Sequence, residues 1–350
     1  MKTHIQAMNS KERFLAALEL DAVDRVPLFY QHLGAAKWLL QNTGLRIRDG
    51  FHNPKTFAEL AMAAYDMYGF DNVMAGWGDL LVAAKAHGME WKFPERDFYP
   101  RPTKYVDMTE IDNIQPVDPL EDPTWSVLIR ATEIMKDQIG NEVAIIGCVE
   151  TPNMIASEVV GMENLLMGCL MDPDIIAKLL KTITQSVIRY GEVVNEVGVD
   201  GVFMEGSMAG GEMVDVSMFE QFDGKYIAQV IDSYKSMGLN VLLHNCSEQP
   251  FWKEQLETGP TAIHLQLSSV PISEVAPAVK GNTCLIAGIE HRELLLNHTP
   301  HEVKVAVRRT IEEWGRDPGL IMGPGCELPY RVPLDNIRAF RESVEQYGKM

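Results

Sequence analysis

Short runs of consecutive apolar residues recur along the chain, and each is followed by a longer stretch whose apolar residues fall three and four apart. The short runs cover residues 26–30, 71–75, 143–147, 201–205, 241–246, 261–266, 283–287 and 320–322. Continuous rather than alternating hydrophobicity predicts strands buried on both faces, hence a parallel sheet. The longer stretches carry helix punctuation. Asn9-Ser10-Lys11-Glu12 reads as an N-cap with its reciprocal Glu, ahead of Phe14, Leu15 and Leu18 on one face. Asn53-Pro54 opens a helix with proline in the first turn and runs to a stop near Gly69. Residues 123–139 end at Gly140, Asp172-Pro173 opens a long helix closed by Gly198, and Ser217-Met218-Phe219-Glu220 reads as a capping box for a helix ending at Gly238. Shorter helical stretches cover 252–257, 272–279 and 300–314.

Eight strand–helix units predict an α/β protein, a single (β/α)8 TIM barrel spanning residues 1–350. The pattern breaks between about 88 and 123, where Trp91, Phe93, Phe98 and Tyr105 alternate with prolines and charges. That segment reads as an inserted hairpin or lid. At 350 residues the chain exceeds the usual domain size, yet barrels reach this length as one unit.

The net charge of −18 argues against nucleic acid or an anionic membrane as a partner. Five cysteines, an odd number widely spaced, fit a reducing compartment rather than a disulfide framework. No signal-peptide core opens the sequence and no apolar run is long enough to span a bilayer, so the expected location is the cytoplasm.

Chemistry concentrates where the strands end, the functional rim of a barrel. Residues two apart on a strand point the same way, so His244 and Cys246 can aim an imidazole and a thiol at one point. Cys326 follows another strand end. One His and two thiolates form the ligand set of a zinc site with an open fourth position. As packing, the cysteines would be small buried fillers; three zinc-type ligands on one rim favour the metal. Asp79, Glu205, Ser207, Gln266, Glu290 and His291 share that rim. Asp79 could equally cap a helix and Ser207 shape a turn, while His264, mid-strand, reads as a core histidine. The methionines around the fourth strand, Met204, Met208, Met213 and Met218, read as adaptable core.

Nearly end to end, the chain resembles the uroporphyrinogen decarboxylase superfamily. The likeness lies in Lys11 to Leu18 with Asp24-Arg25-Val26-Pro27, Gly78-Asp79-Leu80-Leu81-Val82 with Gly88-Met89-Glu90, Ser217 to Phe222 with Tyr226, Leu243-His244-Asn245-Cys246, and Gly323-Pro324-Gly325-Cys326-Glu327-Leu328-Pro329. Decarboxylases of this superfamily carry an arginine motif after the first strand; here Tyr30-Gln31-His32-Leu33 stands there. The methylcobamide:coenzyme M methyltransferase branch carries H-x-C and a distant Cys as zinc ligands, matched by His244, Cys246 and Cys326.

The resemblance implies a zinc-dependent methyltransferase acting between a methylcorrinoid, held on a partner corrinoid protein, and a small thiol such as coenzyme M. Asp79 and Glu205 are the expected catalytic groups; Ser207, Gln266 and His291 are expected to line the cofactor side of the pocket. Asp79 matches the decarboxylases' catalytic aspartate, which keeps a metal-free decarboxylase as the alternative. Gln266 falls where a carboxylate is expected in the zinc methyltransferases, leaving water, Glu205 or the substrate to complete the metal's shell.

Overall fold

A computed structural model describes residues 6–31, 37–75, 79–95, 99–206 and 209–350, with residues 79 and 80 described in backbone only. Nine strands are present among them: β1 Asn72–Met74, β2 Glu90–Lys92, β3 Arg101–Lys104, β4 Ala144–Glu150, β5 Gly201–Glu205, β6 Val241–Asn245, β7 Ala262–Gln266, β8 Cys284–Ile289 and β9 Leu320–Pro324. Seven of these form one sheet in the order β1-β4-β5-β6-β7-β8-β9, parallel throughout. Every residue of β4 to β9 is buried, as the continuous apolar runs require. β2 and β3 pair antiparallel outside this sheet, within the segment expected to be an insertion.

The expected first strand departs from expectation. Residues 26–30 form no ladder; Leu28 makes one parallel bridge to Met322 of β9. Phe29 N donates to Met322 O at 2.8 Å and Met322 N to Pro27 O at 2.9 Å. On the other flank Asp71 N donates to Leu28 O at 2.8 Å. Beyond that point the Asn72 side chain replaces the backbone, accepting from Tyr30 N and donating to Tyr30 O, both at 3.0 Å. Pro27 brings no N–H to a ladder, and an amide side chain has taken the places β1 would fill. The described sheet therefore has seven strands where eight were expected, with residues 26–31 hydrogen-bonded along both of its edges.

Alternation along the strands sorts residues between two cores. Phe29, Ala144, Ile146, Cys148, Phe203, Leu242, Ala262, Cys284, Ile286 and Ile321 pack together with the helix Ser10–Leu18. Their neighbours in sequence, such as Ile145, Val202 and Leu243, pack outward against the helices.

Capping explains most helix ends. Asn9 and Glu12 form the expected capping box, Asp172 accepts from Ile175 N at the start of Pro173–Val197, and Gly69 and Gly198 close their helices with left-handed backbones. One cap differs. Asp215, not Ser217, accepts from Met218 N at 2.8 Å, because its carboxylate is the stronger acceptor and lies at the chain's entry to the helix. The short helix Val216–Phe219 then widens into a π-helical turn, Glu220–Gly224, before Lys225–Ser236. No single described helix is long and apolar enough to cross a membrane; Pro152–Val160 and Met162–Met171 pass that test only together, across a 107° bend.

Beneath the sheet, Asp71 is fully buried. Its carboxylate accepts from Arg13 Nη1 at 2.9 Å, from Arg25 Nη1 at 2.8 Å and from Leu28 N at 2.7 Å. Arg13 also pairs with Asp24 at 2.6 Å. Arg25 bridges to Lys349, and Val26 N donates to Gly348 O at 2.8 Å. Asp71→Ala takes from Arg25 its carboxylate, from Arg13 one of its two, and from Leu28 N its acceptor, so urea unfolding should show a loss of about 3–5 kcal/mol. A loss under 1 kcal/mol would mean that the seam does not depend on this carboxylate.

Candidate metal centre

The strand register carries polar residues into one layer at the C-terminal ends of the strands. Glu150 of β4 pairs with Glu205 of β5, Glu205 with His244 of β6, and His244 with His264 of β7. Each lies an even number of residues beyond the enclosed apolar set, so each points inward. Gln31 follows Phe29 by two and Gln266 follows His264 by two, placing both in the same interior. All six are buried.

His244, Cys246 and Cys326 come together there, with one donor atom of each within 4.8 Å of the others. Zinc bonds of about 2.0–2.3 Å put tetrahedral donors roughly 3.5–4 Å apart, so small side-chain movements suffice to bring these three onto one ion. The donor set fits zinc: one imidazole and two thiols, with room left for a fourth ligand from outside the trio.

Local structure aims each donor. The His244 ring packs against both Phe203, centroids 5.3 Å apart, and His264, 4.6 Å apart, and those two rings also meet each other at 5.8 Å. Asn245, pointing outward, donates to Ala209 O and Gln255 Oε1 at 2.8 Å each and accepts from Ser247 N at 2.9 Å. These bonds fix the turn on which Cys246 sits. Cys326 follows the Pro324-Gly325 turn, where Gly325 N donates to Ile289 O at 2.6 Å. Across from it, a Cβ on Gly288 would lie 2.6 Å from both Gly325 Cα and Leu265 O, so only glycine permits this approach.

The two thiols are hydrogen-bonded to one another, which lowers the pKa of Cys246 and raises that of Cys326. Gln31 Nε2 donates to Glu205 Oε1 at 2.8 Å and lies 3.7 Å from Cys326 Sγ, so it spans the carboxylate and a thiol.

The remaining expected residues divide. Gln266 is buried against Gly325, whose built Cβ would meet Gln266 Cγ at 2.9 Å. His291 is 7 % exposed, and burial lowers its pKa to about 4, so it is a neutral imidazole. Glu290 is a cap: its carboxylate accepts from Arg292 N, Glu293 N and Leu294 N at 2.8, 2.5 and 2.7 Å. Asp79 opens the helix Asp79–Ala86, its side chain outside the described part. Ser207, Met208, Phe98 and the His32-Leu33 pair lie outside the described residues.

Two members of the layer escaped the sequence reading. The β4 run continues past Gly147 to Glu150, and a carboxylate ending an apolar strand is the same signal that marked Glu205. Gln31 drew notice only as a missing arginine, although a polar residue two beyond an enclosed Phe29 marks it as inward.

The fold and the strand-end layer define an α/β protein of the parallel-sheet enzyme class, with a His-Cys-Cys cluster in its mouth. The uroporphyrinogen decarboxylase (URO-D) family matches residues 9–347, and the chain belongs to that family. It is 24% identical over 96% of its length to the methylcobamide:CoM methyltransferase MtaA of Methanosarcina barkeri, covering 98% of that protein. It is 26% identical over 98% of its length to the uroporphyrinogen decarboxylase of Flavobacterium johnsoniae, covering all of it (100%). A solved methyltransferase from Methanosarcina mazei shares the fold, with a TM-score of 0.88 and 22% identity over 97% of this chain and 99% of that one.

The π-helical turn buries Asp223, 3 % exposed, in a cavity it lines with Asn153, Leu165, Cys169 and Phe222. Burial raises its pKa to about 7, offset in part by the Thr151 side chain. A carboxyl whose folded pKa is raised contributes stability fully below its unfolded value, near 4, and loses it as pH rises through about 7. Asp223→Asn should therefore match the wild type in Tm near pH 4 and exceed it increasingly up to pH 7–8. An equal Tm at both ends would show that the carboxyl is not held neutral by burial.

Proposed function

We propose that this chain is a zinc-dependent methyltransferase that moves a methyl group between a corrinoid on a partner protein and a small thiol such as coenzyme M. The convergence of His244, Cys246 and Cys326 within 4.8 Å carries the reading. The relatives named as methylcobamide:CoM methyltransferases support it, as does the occupation of the decarboxylases' arginine site by Tyr30 and Gln31. The architecture we infer with it is a (β/α)8 barrel closed by residues 26–31, with the β2–β3 hairpin as part of a lid over the mouth.

His244, Cys246 and Cys326 would hold the metal. Zinc, when bound, supplies a Lewis acid that keeps a substrate thiol ionised at neutral pH. Two cysteine thiolates and a neutral imidazole cancel the ion's charge, so they leave the substrate sulfur its electron density. Phe203 and His264 pack against the His244 ring, and the Asn245 bonds fix Cys246. In the transfer, the thiol gives up its proton, its sulfur forms the S–C bond, and the Co–C bond breaks with its electron pair remaining on cobalt. Glu205, oriented by Gln31, is the carboxylate placed to take the thiol's proton. Asp79, at the start of its helix on the mouth side, shapes the pocket.

The relatives named as uroporphyrinogen decarboxylases support the alternative, in which Asp79 acts without metal. Metal content separates the two. Purified protein should carry about one zinc per chain, and Cys246→Ala or Cys326→Ala should lose most of it while remaining folded. Folded protein that takes up no zinc, or a variant that retains a full complement, contradicts the ligand set.

Methylcobalamin with 2-mercaptoethanesulfonate should be demethylated in a zinc-dependent way, read as cob(I)alamin absorbance, with Asp79→Asn weakening the rate modestly. Uroporphyrinogen decarboxylation that survives chelation and is abolished by Asp79→Asn would establish the alternative instead.

A further inference from the structure

His264 occupies the strand position beside His244 and is fully buried. Its ring stacks on His244, centroids 4.6 Å apart with planes 30° from parallel. Phe29 meets its edge at 5.2 Å and Phe203 lies at 5.8 Å. Its Nε2 lies 2.9 Å from Pro324 O. A carbonyl oxygen only accepts, so Nε2 carries the proton and Nδ1 is left as the acceptor. Nδ1 is buried with no hydrogen-bond partner.

An orphaned acceptor in a tight interior carries a desolvation cost that a phenyl or an isobutyl group at this position would avoid. Packing therefore does not account for a histidine here; the two things its ring does besides packing are the stack and the donated hydrogen bond. The stack bears on His244. The hydrogen bond bears on Pro324, two residues before Cys326, in the turn that Gly325 ties to Ile289 from the other side.

We propose that His264 is a positioning residue for the metal centre: its ring sets the plane of His244 while its Nε2–H anchors the turn that presents Cys326. Two of the three donors are thereby held relative to one another through a single side chain. The inference rests on the metal reading of His244, Cys246 and Cys326.

The test compares His264→Gln, whose amide nitrogen can replace Nε2, with His264→Phe and His264→Leu, which cannot donate. Zinc affinity is read by competition with a chromophoric chelator, donor geometry from the absorption spectrum of the cobalt(II)-loaded protein, and folding from the Tm of the metal-free form. His264→Phe should weaken zinc by about 10–100-fold, in line with other groups that orient metal ligands. It should alter the cobalt spectrum and leave the metal-free Tm unchanged or raised, since it removes the orphaned acceptor. His264→Leu, which loses the ring as well as the donor, should weaken zinc at least as much, and His264→Gln, which keeps the donor but not the ring, should recover part of the affinity without the full wild-type spectrum.

Wild-type affinity and spectrum in both donor-less variants overturn the proposal, as does a Gln variant no better than Leu. A wild type that binds neither ion overturns the metal reading and this proposal with it. That failure is separate from one in which the wild type binds and the variants match it.

Discussion

The parallel register of β4 to β7 is the constraint on which the site depends. Because side chains alternate along each strand, the residues that fill the interior commit those two positions later to face inward as well. Ile146, Cys148 and Glu150 form one such series; Phe203 and Glu205, Leu242 and His244, and Ala262, His264 and Gln266 form others. A slip of one residue in any of these strands would turn its polar end outward and expose its apolar one. The apolar layer thus fixes the chemistry of the mouth, with no separate scaffold for it.

Closure of the sheet brings in what the register alone does not. The segment ending at Gln31 is held by Met322 on one side and by Leu28's and Tyr30's bonds to Asp71 and Asn72 on the other. Its anchor is the buried Asp71 carboxylate, at the opposite end of the strands from the donors. Electrostatics at the floor therefore decide whether an amide reaches Glu205 and Cys326 at the mouth.

Much of this was legible in the sequence because it follows from local periodicity. The strands β4 to β9, the Asn9 and Asp172 caps and the H-x-C pair at the end of β6 each depend on residues close together in the chain. The first strand was misread for the opposite reason: its partners are the Asn72 side chain and Met322, and no local pattern distinguishes a bridge from a ladder. The Ser217 cap gave way to Asp215, a competition between two acceptors two positions apart that composition cannot decide. His264 looked like core, which by burial it is; its bond to Pro324, 60 positions away, is invisible without the fold. The π-helical turn, and with it the burial of Asp223, likewise has no periodicity signal.

The bridge between residues 26–31 and β9 also bears on how the molecule is made. Gln31 and Cys326, which share one contact, stand 295 positions apart, a separation whose closure entropy is recovered only when nearly all the sheet between them is in place. During synthesis, His244 and Cys246 leave the ribosome about 80 positions before Cys326. Over that stretch of synthesis the nascent protein carries only two of the three residues, so the convergence of the His-Cys-Cys cluster is a property of the finished fold rather than of the chain.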